Sequence, residues 1–68
     1  MNRAAFLRDL NSYCRAHGLA YRFDAVHGKG GHGRVYVGAA FTTVKSGELS
    51  NIVKQALLKQ LGLPKDAI

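Results

Sequence analysis

Arg34-Val35-Tyr36-Val37-Gly38-Ala39-Ala40-Phe41-Thr42-Thr43-Val44 is the stretch on which the fold turns. β-Branched and aromatic residues fill both sides of Gly38-Ala39, the pattern of two strands joined by a tight two-residue turn. The strands read as 34–37 and 40–44. A turn of that length puts Val35, Val37, Ala40, Thr42 and Val44 on one face. Arg34, Tyr36, Phe41 and Thr43 then fall on the other. Because side chains alternate with period two, a one-residue slip would reverse the third strand. Upstream, Leu19 to Val26 alternates in the same way, with Leu19, Tyr21, Phe23 and Ala25 on one side and Arg22 and Asp24 on the other. This predicts a further strand ahead of the hairpin.

Working outward, each end of the chain changes to a helical period. Phe6, Leu7, Leu10, Cys14 and His17 recur at helical spacing, flanked by Tyr13, and predict a helix from Asn2 to His17. Asn2 serves as its N-cap and Gly18 follows as the C′ residue. Near the other end, Leu49, Ile52, Val53, Ala56, Leu57 and Leu61 form a second apolar stripe. Ser46 is the expected N-cap, Glu48 favours the positive helix end, and Gly62-Leu63-Pro64 reads as a stop. The order is α-β-β-β-α, an α+β two-layer sandwich in which both helices cover one face of a three-stranded antiparallel sheet. The double-stranded RNA-binding fold has the same order.

The chain has 68 residues, enough for a single domain spanning 1–68, with 65–68 expected as a loose tail. Ten Lys and Arg against four Asp and Glu give a net charge of +6. So strong a positive balance points to an anionic partner, nucleic acid or an acidic protein. A domain this short buries only roughly 60% of its unfolded surface. It has a single cysteine, Cys14, so no internal disulfide forms, which suits a reducing cytosol. No stretch approaches the roughly 18 apolar residues of a membrane span. Arg3, Arg8 and Asp9 break any signal-peptide core. A cytoplasmic protein with no membrane partner is the expectation.

Between the first two strands lies His27-Gly28-Lys29-Gly30-Gly31-His32-Gly33-Arg34. Glycines let the backbone approach a ligand closely, and two imidazoles and two cations stand beside them. Phosphate is the natural ligand, although a glycine-rich hairpin loop is the plain alternative. The glycine-lysine spacing of a P-loop is absent. His27, His32 and Cys14 lack the spacing of a zinc site, and no metal is expected.

The run Lys29-Gly30-Gly31-His32 ahead of a strand resembles the Lys-Gly-Ser-His element of HicA-type toxins, small RNA-cleaving proteins of toxin–antitoxin pairs. Lys45-Ser46-Gly47-Glu48-Leu49-Ser50-Asn51-Ile52-Val53-Lys54-Gln55 resembles that family's Gly-Thr-Leu-x-x-Ile-Leu-Lys-Gln helix start. Element order and length match over nearly the whole chain. The resemblance implies a double-stranded RNA-binding-like fold and a metal-independent endoribonuclease that cleaves mRNA and halts translation. It also implies a HicB-like antitoxin as partner, no cofactor, and His32 as the functional histidine. A nonenzymatic RNA-binding or adaptor module of the same fold is the second reading. Gly31 stands where the family carries Ser or Thr. The turn between the second and third strands is shorter than is usual there. The third strand also runs straight into Lys45 without the family's Pro-His stretch.

RNA cleavage needs a group to move the 2′-OH proton, charge to stabilise the phosphorane, and a proton for the leaving oxygen. With a reference pKa of about 6.5, histidine suits the proton steps. His32 is therefore the candidate catalytic residue, against the plain alternative of a surface loop histidine. His27 is the candidate for catalytic support. Lys29, Arg34 and the backbone at Gly30 and Gly31 are the candidate phosphate contacts. His17 reads as a helix-terminal residue and Cys14 as a buried core thiol. Tyr36 and Phe41 could stack on bases, but cover by a partner protein, or by the core in the other register, is the preferred reading.

Overall fold

A computed structural model describes residues 1–25 and 31–68. His27, Lys29 and Gly30, named above for catalysis and phosphate contact, lie outside the described residues. So does Val26, the expected end of the first strand. The elements are α1 (Arg3–Ala16), β1 (Tyr21–Asp24), β2 (His32–Val37), β3 (Ala40–Lys45) and α2 (Asn51–Gln60). The strands form one antiparallel sheet in the order β1-β2-β3, so the expected α-β-β-β-α architecture is the observed one. Among the described residues, no helix is long and apolar enough to cross a membrane.

The hairpin register is the one read from Gly38-Ala39. Val37 pairs with Ala40, Val35 with Thr42 and Tyr36 with Phe41. Only the first turn residue, Gly38, has a positive φ (58°), the pattern of a type II′ turn. Val35, Val37, Thr42 and Val44 are buried beneath the helices. The Thr42 hydroxyl donates to Gln60 Oε1, which satisfies the one buried polar side chain of this face among the described residues. Tyr21 and Phe23 pair with Val37 and Val35, and both pack half-buried against the core. β1 is shorter than expected because Leu19 is used to end α1.

α1 starts where Asn2 Oδ1 accepts from the Ala5 N–H at 2.8 Å. Phe6, Leu10 and Cys14, one turn apart, are fully buried. His17 is not part of that stripe. It is exposed at the C-cap, with its ring stacked on Tyr13 at 4.1 Å. The Leu19 N–H donates to the Cys14 carbonyl at 2.8 Å, and Leu63 donates in the same way to Leu58 at 2.9 Å. Both helices thus close with a Schellman motif around Gly18 and Gly62.

α2 departs from the expectation. Its N-cap is Ser50, whose Oγ accepts from the Val53 N–H, and not Ser46. Residues 46–49 cannot enter the helix because tertiary bonds hold their backbone. Ser46 N–H donates to Gly31, Leu49 N–H donates to Met1, and the Gly47 carbonyl accepts from Arg3 N–H. Starting later changes which residues face the sheet. Leu57, Leu58 and Leu61 are buried, with Leu49 just ahead of the helix. Ile52 and Val53, expected in the core, are 83% and 44% exposed, and Ala56 is exposed too. At the C-terminus, where a loose tail was expected, Ala67 and Ile68 are half-buried against the core.

Candidate nucleic-acid interface

Since both helices cover one face of the sheet, the other face is open. Strand pairing orders that face in rows. Arg22, Tyr36 and Phe41 stand side by side across the three strands. Asp24, Arg34 and Thr43 form the next row, and His32 and Lys45 the third. His32 opens β2, and strict alternation with the buried Gly33 and Val35 puts it on the open face. It is half-buried and has an interaction partner.

Three features position this end of β2. Gly31 has φ +81°, a left-handed backbone that favours glycine, and a Cβ there would collide with Ser46 Oγ. Its carbonyl accepts from Ser46 N–H at 3.1 Å and from Arg3 Nη1 at 2.7 Å. The same Arg3 nitrogen reaches the Val44 carbonyl at 3.4 Å. Arg3 also lies over the Phe23 ring, with Cζ 5.2 Å from its centroid. Phe23 in turn covers Gly33, where a Cβ would overlap its ring. α1, β1, β2 and the segment ahead of α2 therefore meet around the two residues that bracket His32.

The cations of the face are seated on its aromatic rings. Arg22 Cζ lies 4.1 Å from the Tyr36 centroid and Arg34 Cζ lies 4.9 Å from that of Phe41. The two rings are tilted neighbours at 5.8 Å. Arg34 Nε is buried with no hydrogen-bond partner among the described residues, so its guanidinium keeps an unused donor beside the face. Arg22 Nη1 stands 4.0 Å from Asp24 Oδ2. Phe41 is 53% exposed and Tyr36 is half-buried. Neither belongs to the core.

Of the candidate site residues, the structure brings Gly31, His32 and Arg34 together. The Gly31 carbonyl accepts from Ser46 and Arg3, and the group of this residue with the polarity to meet an anion is its N–H. Reading the sequence alone missed Lys45 as the cross-strand partner of His32, Asp24 in the adjacent row and Arg22 on the same face, and Arg3 and Ser46 as support for the glycines around His32. Strand pairing is the signal that would have found the first three. No local pattern points to the last two. A scan of protein-family models, a search of curated proteins and a search of solved structures each find no match to this chain.

Proposed function

We propose that the chain is the toxin of a toxin–antitoxin pair, an endoribonuclease that cleaves mRNA in the cytoplasm and is restrained by a HicB-like protein. The carrying observation is the position of His32. It stands on the open face of the sheet, opposite Lys45 and two residues from Arg34. In this reading His32 moves the proton of the RNA's own 2′-OH or of the leaving 5′-oxygen. Arg34, Lys29 and the backbone N–H groups at Gly30 and Gly31 hold the phosphate, with His27 as supporting group. The reaction calls for no cofactor. The hydroxyl that the family pattern carries at position 31 is missing, but Ser46 Oγ lies beside the place a Gly31 side chain would take.

One observation favours a second reading. The face seats Arg22 on the Tyr36 ring and Arg34 on the Phe41 ring, an arrangement that acid–base cleavage does not itself require. A nonenzymatic RNA-binding module would need only the charge and the rings.

Controlled expression in a bacterium, comparing the parent with His32→Ala for growth and mRNA integrity, separates the two. Growth arrest and mRNA cleavage in the parent alone support the ribonuclease. A folded His32→Ala variant that remains toxic would sink the role of His32. Equal growth and intact mRNA in both strains, with both proteins folded and abundant, favours the binding module.

A further inference from the structure

The open face carries more than His32. Its residues are cationic, aromatic or small and polar, and no aliphatic side chain stands on it among the described residues. Tyrosine, phenylalanine and arginine also recur in protein-docking cores, so the charge balance of the face, and not its rings, is what selects the partner. Among the described residues, three cations, Arg22, Arg34 and Lys45, share the face with one carboxylate, Asp24. The net positive charge suits a polyanion.

We propose that this face is a stacking platform for single-stranded RNA. Bases would stack on Phe41 and on the Arg22–Tyr36 pair, and the strand would run toward His32 and Lys45. The inference rests on the reading above that RNA is the ligand, and it names the surface and the form of RNA. Successive rows of the face stand about 6.6–6.8 Å apart, close to the step of one nucleotide in an extended strand. Phe41 offers half of its surface to solvent. Arginine planes seated on aromatic rings present a second π-stacking surface for a base. An open cleft of about 430 Å³ adjoins the first row, lined by Ala20, Tyr21, Arg22, Tyr36 and Gly38. It has room for a nucleobase at the far end of the path from His32. Duplex RNA has its bases stacked inside the helix and offers this face only backbone.

The test uses the full chain carrying His32→Ala, which stops cleavage, and fluorescence anisotropy with a short labelled oligouridine. The same strand paired with oligoadenine is the duplex control. The single strand is expected to bind more tightly than the duplex. Phe41→Ala should weaken single-strand binding about 5- to 150-fold, the range for losing one base stack. Phe41→Tyr, which keeps the ring, should bind like the parent. Arg22→Gln should weaken binding and reduce the salt slope by about 0.7. Thermal unfolding of each variant checks that it is folded. Unchanged affinity in folded Phe41→Ala and Arg22→Gln overturns the platform, leaves RNA as the ligand, and returns the face to a protein partner. Equal or tighter binding of the duplex also overturns it. A folded parent that binds neither RNA overturns both this inference and the function it rests on.

Discussion

Gly33 and Cys14 show how single residues carry the site and the core. Gly33 lies on the helix-facing side of β2, under the Phe23 ring, and a Cβ would also crowd the Asp24 carbonyl oxygen at 3.3 Å. Cross-strand aromatic cover of a strand glycine is a known device for holding register. Gly33→Ala is expected to cost about 1–3 kcal/mol, the usual range for overpacking. Urea unfolding measures this, and an unchanged midpoint would contradict the packing described here. Cys14 is fully buried, and burial pushes its thiol pKa up. Tyr21 is raised as well, first by burial and then by the neighbouring Cys14 charge. A raised pKa in the fold means that the folded state holds the proton more tightly than the unfolded state. That stability is present below the unfolded pKa and is lost as pH rises through the folded pKa. Urea midpoints should therefore fall above roughly pH 9, and Cys14 should react with iodoacetamide at neutral pH only as fast as the chain opens. Rapid alkylation of the folded protein, or a midpoint that climbs in that alkaline range, would count against a buried Cys14.

At the scale of elements, α2 is the informative case. Its apolar residues nearly surround it, so periodicity permits more than one buried stripe. The choice is made by where the helix begins, and that is decided by backbone bonds from Met1, Arg3 and Gly31 to residues 46–49. Leu58 is fully buried while Ile52 is 83% exposed. Leu58→Ala is expected to cost about 2–5 kcal/mol, and Ile52→Ser to stay within about 0.5 kcal/mol. The first loss is comparable with the roughly 3–5 kcal/mol that a core of this size supplies. The Leu58→Ala chain should therefore melt far below the parent. Circular dichroism melts of the pair check this, and a reversed order would mean that α2 sits in the register with Ser46 as its cap.

For the whole molecule, the two faces of one sheet divide the work. The helix-covered face holds the fold together with apolar side chains. The open face gathers cations, rings and His32. The pairing of β1 with β2 and of β2 with β3 makes this division, because it turns residues far apart in sequence into rows. Arg22 and Phe41 are 19 positions apart and flank the same tyrosine.

The sequence by itself determined the element order, the hairpin register, the α1 cap, the Phe6, Leu10 and Cys14 part of its stripe, and both helix stops. Each of these is set by neighbours within a few residues: a two-residue turn, an Asn before a helical period, a Gly after it. It also singled out His32 and Arg34, through a glycine-rich run next to a strand. Only the tertiary structure decided the start of α2, the outward turn of Ile52 and Val53, the support of Gly31 by Arg3 and Ser46, and the rows that join Arg22, Tyr36 and Phe41. These depend on hydrogen bonds and ring contacts between segments distant along the chain, and local pattern carries no record of such partners.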